Sequence, residues 1–344
     1  MMMKKIFKSS LIAAAVLLLI GNSNAQQQKL AQTGMKFLSV SLDARASALG
    51  EAFTSLHADA SAMFYNPAGM SRITNYTSVS LGLTNYIADI KYMYGAVAFA
   101  PFNGEYGVLG INFESVDYGQ LQATIRYDNE QGYLDAGTFS PTAMAVGIGY
   151  AKAISEKFSV GGNIKYVRQS LGTAIIGDAI QVGSNGLPSG RTADAKTDVM
   201  AVDFGVLYKT GFKSLDFGMD VRNFSREVTY IQDGFQLPLT FKIGISFNAA
   251  DLMNVDKNMH SLLLTLDASH PRDYPEQVGI GAEYTFMNLV SLRAGYQSPN
   301  DEKGISAGIG LKHSFSSFDF SFDYAYTSFG IFSQVNQFSV HFAY

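Results

Sequence analysis

The side chains of this chain best suited to chemistry are five histidines and a scatter of carboxylates, and their spacing assembles no reaction. His57, His260, His270, His313 and His341 lie far apart, with none of the short repeats that place two imidazoles on one metal ion. The sequence has no Cys, so disulfides, thiolate nucleophiles and thiolate metal sites are excluded. No strand–turn–helix nucleophile elbow and no Gly-Lys-Ser/Thr phosphate loop is present. A Ser paired with His313 or His341, in the manner of phospholipase-like barrels, rests on arithmetic alone. The reading is therefore non-enzymatic, with no cofactor and no metal.

The carboxylates make more sense once placed on strands. Asp203, Asp216, Asp220, Asp267, Glu283, Asp319 and Asp323 alternate with apolar residues, and so do Lys165, Arg222, Lys242, Arg293 and Lys312. In an extended chain, alternate side chains share a face. Phe318, Phe320, Phe322, Tyr324 and Tyr326 take one face and Asp319, Ser321 and Asp323 the other; Leu239, Phe241, Ile243, Ile245 and Phe247 oppose Thr240, Lys242, Gly244 and Ser246. A helical period is missing from these stretches. One greasy face and one charged face, repeated, describe a barrel with lipid outside and a polar lumen. The lumen charges are read as paired filler rather than as an open conduit, because interior charges pair with one another.

Reading each alternating run as a strand gives spans near 76–83, 92–100, 106–116, 143–151, 157–168, 199–209, 214–222, 239–248, 261–268, 277–286, 289–297, 305–313, 317–326 and 336–344. That is about 14 strands, most close to the ~10 residues a tilted strand needs to cross a bilayer. Their links alternate between short and long, as periplasmic turns and outside loops do. Tyr127–Thr138 and Gly172–Lys196 read as mobile outside loops, with a weak extra hairpin near 121–127, and 249–260 as the place for a small helix. The chain closes on Phe338, Val340, Phe342 and Tyr344 at every second position, a terminal strand whose last ring suits the membrane interface. The fold class is all-β: a transmembrane antiparallel barrel.

The rest of the composition agrees. The first residues carry Lys4, Lys5 and Lys8, then an apolar run Leu11–Ile20, then Ser23-Asn24-Ala25. This is a secretory leader with cleavage expected after Ala25; its apolar run is too short to span a bilayer as a helix. The formal charge of −4 becomes more negative by three lysines when the leader leaves, which argues against a nucleic-acid partner. There are 33 Gly, 19 Tyr and 25 Phe with only 16% charged residues, fitting a barrel in lipid. Three units follow: a signal peptide 1–25, an N-terminal plug segment 26–75 and the barrel 76–344.

Residues 34–74 depart from the alternation and are rich in Ala, Ser and Gly. Asp59 is placed to cap a short helix, Pro67 to end it while holding Asn66 extended, and Gly69 to turn the chain toward the first strand. At the mouth of a barrel such a segment folds inward as a plug.

The phrases Phe37-Leu38, Ala44-Arg45-Ala46, Leu49-Gly50-Glu51-Ala52-Phe53 and Asp59-Ala60-Ser61-Ala62-Met63-Phe64-Tyr65-Asn66-Pro67-Ala68-Gly69-Met70 resemble the N-terminal region of FadL-type outer-membrane proteins, and more closely the PorV/PorQ branch of Bacteroidota. The resemblance implies a 14-stranded barrel with an N-terminal hatch. It further implies an outer-membrane component of type IX secretion, surrounded by lipid, with secreted cargo C-terminal domains or a translocon subunit as partners. FadL-like members instead pass hydrophobic small molecules, and uptake of such compounds is the alternative reading. The resemblance supplies no cargo-contact residue.

Overall fold

The computed structural model describes residues 33–182, 188–230, 233–300, 303–332 and 334–344; the leader and its cleavage position lie outside them. Fourteen strands pair in sequence order and close on themselves. They are β1 Thr77–Asn85, β2 Lys91–Phe99, β3 Val108–Asp117, β4 Thr142–Ala153, β5 Phe158–Val182, β6 Pro188–Lys209 and β7 Asp216–Ser225. Then follow β8 Thr240–Asn248, β9 His260–Pro271, β10 Gln277–Phe286, β11 Val290–Ser298, β12 Ile305–Ser314, β13 Asp319–Ser328 and β14 Gln334–Ala343. Closure joins β14 to β1 antiparallel, Val79 facing Phe342 and Leu83 facing Phe338. Tyr344 lies one residue past β14, yet it exchanges two backbone bonds with Thr77, at 2.8 and 3.0 Å. A closed sheet leaves no unpaired edge in lipid.

Burial follows the period-2 pattern. On β3, Leu109, Ile111 and Phe113 are exposed while Val108, Asn112, Glu114 and Val116 are buried. On β14, Phe338 and Phe342 face out, and Gln337, Ser339 and His341 face in. No described helix is long and apolar enough to cross a membrane. The strands do so instead, with their apolar side chains turned to hydrocarbon.

Links on one end are short. Met287 and Asn288 turn β10 into β11 with φ of 52° and 54°, the left-handed pair that matches the twist of a hairpin. The link after β8 holds a 3-10 turn, Ala249–Leu252. The other end is elaborate: the extra hairpin expected near 121–127 is present, and both segments read as mobile loops contain paired strands. Leu121–Arg126 and Tyr133–Phe139 form a hairpin of their own. Within the expected loop Gly172–Lys196, residues 172–182 and 188–196 are not loose but continue β5 and β6 as an antiparallel ribbon. Its Gly-rich, polar composition imitates a loop, whereas cross-strand pairing, invisible in local sequence, sustains the ladder.

The N-terminal segment runs inside the barrel, end to end. At the long-loop end Gly34 N donates to Gln236 O at 3.1 Å. At the short-link end Arg72 donates to Ser155 O and Glu156 O at 3.0 and 2.5 Å. Between them lie a 3-10 turn Lys36–Ser39, helix α1 Ala44–Ala48, and 3-10 helices Ala60–Phe64 and Pro67–Arg72. Its small residues carry the packing: Ala44, Ala46, Ala48, Ala52, Ala60 and Ala68 are fully buried.

Candidate functional site

The lumen is filled because wall and segment are shaped to each other. The inward positions of the strands hold glycines where the segment's backbone lies against them. A Cβ on Gly295 would collide with Gly50 N and Leu49 C, one on Gly161 with Ala68 N and Pro67 C, and one on Gly218 with Thr54 O. Gly50 itself adopts φ +63° against Tyr296 and Ile280, a left-handed position that suits glycine. Across the barrel, Met63 and Met70 fill the space over Gly110 and Gly149, among Ala96, Ala98, Val108 and Ala151.

Polar side chains then tie the segment to the wall. Asn66 Nδ2 donates to Thr54 O at 2.7 Å, to Val206 O at 3.1 Å and to Met219 O at 3.3 Å, while its Oδ1 accepts from Ala68 N at 3.0 Å. Inward Gly205 leaves room for it. The helix capped by Asp59 ends at Phe64, ahead of Pro67, and Asn66 is extended with φ −134° and ψ 105°; Pro67 also opens a second helix, which Asn66 caps. Gly69 lies inside that helix, where a Cβ would press on Ala62 and Leu56 O; its smallness is used, not a turn. Asp59 caps the preceding helix through Ser61 N at 2.8 Å. Asn66→Ala removes all four bonds of a side chain 1% exposed. It should cost about 2–4 kcal/mol, since buried carbonyls are left unmet, read as a lower urea midpoint at unchanged slope.

The largest network joins segment and strands in a line. Arg45 makes a two-pronged contact with Glu283, Nε to Oε2 at 2.8 Å and Nη2 to Oε1 at 2.7 Å. Arg293 binds Glu283 and Asp323, each at 2.5 Å. The His341 ring reaches Asp59 at 2.9 Å, Asp43 at 3.3 Å and Asp323 at 3.4 Å. Asp43 also caps α1 through Ala46 N at 3.1 Å and accepts from Tyr94 OH at 2.8 Å. A second group centres on Glu51, which pairs with Lys303 and, at 3.7 Å, with Lys242; nearby, Asp267 accepts from Phe53 N and Thr54 N at 3.0 and 2.9 Å. In a third, Lys165 pairs with Asp203 at 2.9 Å and Arg222 with Asp220 at 3.3 Å. Asp203 marks a bulge between β6 and β7: its Oδ1 accepts from Asn223 N at 2.8 Å, and Asn223 takes φ 62°.

Of the charges expected in the lumen, Asp203, Asp220, Lys242, Glu283, Arg293 and Asp323 are buried there. Arg222 is nearly so and donates to Phe64 O at 2.5 Å. Asp319 departs, lying half-exposed at the short-link rim 3.7 Å from Lys312. Phe338, Val340, Phe342 and Tyr344 lie on the outer face of the closing seam. Sequence reasoning missed Asp43, Arg45, Glu51 and Lys303 as partners and left His341 among scattered histidines. Its parity between outward Val340 and Phe342 was the available signal. The run Gly304-Ile305-Ser306-Ala307-Gly308 has nucleophile-elbow spacing but opens β12, so Ser306 lies within a strand and not at a strand-to-helix bend, and its Oγ is bonded to Thr327 Oγ1 at 3.1 Å. Among the described residues no His, Asp or Glu group is arranged to hold a metal ion.

A model of the type IX secretion system protein PorV matches residues 23–262. The chain belongs to the PorV family. It is an outer-membrane β-barrel. No curated protein sequence matches it. Among solved structures, the Ralstonia pickettii toluene transporter TbuX superposes with a TM-score of 0.59 at 15% identity, over 88% of this chain and 97% of that one. The Pseudomonas putida toluene transporter TodX gives 0.55 at 12%, over 86% and 96%. At such identity the likeness is one of fold. This PorV-family chain thus shares a barrel with hydrocarbon transporters.

The space inside this PorV-family barrel is divided. One vestibule of about 430 Å³ opens at the short-link end, lined by Arg45, His57, Asp59, Lys312 and Asp319 among others. Another of about 440 Å³ opens at the long-loop end, lined by Lys36, Tyr86, Tyr92, Tyr118 and Phe332 among others. The gap beside Met63 and Phe64 measures about 20 Å³, room for one water.

Glu51, at the boundary of the long-loop vestibule, gives this lock a pH dependence. Burial opposes its ionisation, but Lys303 and Lys242 prevail and hold its carboxyl at about 2 against an ordinary 4.5. A depressed carboxyl stabilises the folded state fully above about pH 4.5, and that contribution disappears as pH falls through about 2. The amount at stake is at most about 3 kcal/mol. Urea resistance should fall across this window, and Lys303→Met should flatten the dependence.

Proposed function

We propose that this protein is an occluded, non-enzymatic barrel that acts in type IX export, binding secreted cargo or a translocon subunit at its long-loop end and handing cargo to the cell surface. The supporting observation is a lumen filled by residues 33–73 in a chain of the PorV family. A filled lumen leaves the loops and ribbon as the working surface, and binding residues are commonly carried on such scaffolded extensions. In this reading a leader is removed near Ala25, the short links face the periplasm, and residues 33–75 seal the barrel. The interior charges hold the seal in place.

The uptake reading expects an apolar pocket near Met63 and Phe64 and an interrupted strand at Gly147/Gly149 or Gly308/Gly310. The gap there is one water in size, and β4 and β12 pair without a register shift on both sides. These observations favour export.

Deleting the gene should leave proteins bearing type IX C-terminal domains in the periplasm, and supplying the gene back should return them to the surface. Unchanged secretion in the deletion strain would sink the proposal. Normal secretion combined with slower growth on a hydrophobic carbon source would replace it with uptake.

A further inference from the structure

Strands β5 and β6 outgrow the barrel. They contain 25 and 22 residues, whereas about ten cross a bilayer. β4 leaves β5 at Thr142, opposite Ser170, and β7 leaves β6 at Ser225, opposite Ala201. Beyond those points the two pair only with each other among the described residues, as a ribbon. Residues 188–200 extend roughly 40 Å at about 3.3 Å each. A two-stranded ribbon in water is marginal and gains from a third strand, and an unpaired edge is a template for one.

The two edges are not equivalent. On the β5 side the register slips between Ser170 and Thr173 and again between Ile176 and Gln181. Extra residues on an edge blunt it. The β6 strand opposite has no inserted residues. Alternate positions Asp194, Lys196 and Asp198 are all exposed there and share a face. Asp194 and Lys196 lie 3.1 Å apart, and Thr173 supports Asp194 at 2.9 Å. The face therefore reads minus, plus, minus on a straight edge.

We propose that the outer edge of β6, from Arg191 to Asp198, accepts one extended strand of an extracellular partner protein whose facing positions read Lys-x-Glu-x-Lys. Main-chain bonds hold the strand and the three charges set its register, since directly opposed charges of opposite sign favour a cross-strand pair and like charges oppose it. The proposal rests on the long-loop end facing outward, as in the export reading, and names the kind of segment bound there.

The chain has no Cys, so Ala195→Cys gives one unique probe. The full-length protein in lipid nanodiscs is mixed with a synthetic nine-residue peptide carrying Lys-x-Glu-x-Lys on one face and a single Cys, moved one position at a time. Disulfide formation should concentrate at one register, and the charge-reversed peptide should bind about tenfold more weakly. Prolines are then placed singly at 192 through 197. Alternate positions should abolish binding while the barrel keeps its heat-modifiable mobility. Equal binding of both peptides, crosslinks without register preference, or peptide-independent dimers through the β6 edge would each overturn the proposal. Peptide binding is read on purified protein and cargo secretion in cells. A barrel that binds the peptide in strains with unaltered secretion would therefore reject export without rejecting the edge.

Discussion

Gly295→Val will unseat the N-terminal segment and make the outer membrane leak. The added Cβ falls on Gly50 N, Leu49 C and Ala48 O. These are backbone atoms at the end of α1, not the tip of a side chain that can swing aside. They are bound from behind as well: Gly50 N donates to Ser47 O at 3.1 Å and Glu51 N to Ala46 O at 3.0 Å. The wall is equally fixed, with Gly295 paired to Gly281 and Ser306. Something must move by an ångström or more, and the segment has fewer bonds to lose than a closed sheet. The expected result is a full-length, heat-modifiable barrel whose host becomes about tenfold more sensitive to a large antibiotic normally excluded by the outer membrane. Gly95→Val is the control, because a Cβ there meets only Leu81 Cδ2, at 3.3 Å. A well-assembled Gly295→Val barrel with unaltered sensitivity would show that the segment does not seal the lumen.

Glu283→Gln should be the most destabilising single change among the charged groups. Among the described residues, Glu283 is the carboxylate bonded to both Arg45 from the segment and Arg293 from β11. Arg293 is 8% exposed and has Asp323 as its other partner. The substitution keeps the shape and removes one charge, so the two guanidinium groups lose the carboxylate they share, and Arg293 keeps Asp323. Breaking a buried pair from one side costs about 3–5 kcal/mol, because the remaining charge stays desolvated. The measurement is the urea midpoint of barrel unfolding in detergent or nanodiscs. Glu283→Gln combined with Arg45→Gln should recover part of the loss, since it withdraws the cation left without a counter-charge. If the double variant is no more stable than Glu283→Gln, Arg45 is not coupled to the core network.

The barrel was legible in the sequence because a strand between two solvents has no freedom in its pattern. Each residue faces hydrocarbon or lumen, and a shift of one exchanges every side chain. Leu109, Ile111 and Phe113 against Asn112 and Glu114 state that choice unambiguously, and the repetition of such runs set the number of strands and the closing seam at Phe338–Tyr344. The same parity assigned Glu283, Arg293 and Asp323 to the interior. What parity leaves open is the partner. Whether Glu283 meets a neighbouring strand, water or Arg45, 238 residues away, depends on a segment with no alternation of its own, threaded through the lumen by tertiary packing. Tertiary structure likewise explains Gly161, Gly218 and Gly295, which look like weak strand residues until a second backbone lies against them. It also turned residues 172–182 and 188–196 from a loop into a ribbon, because pairing between distant residues, not local composition, supplied the hydrogen bonds.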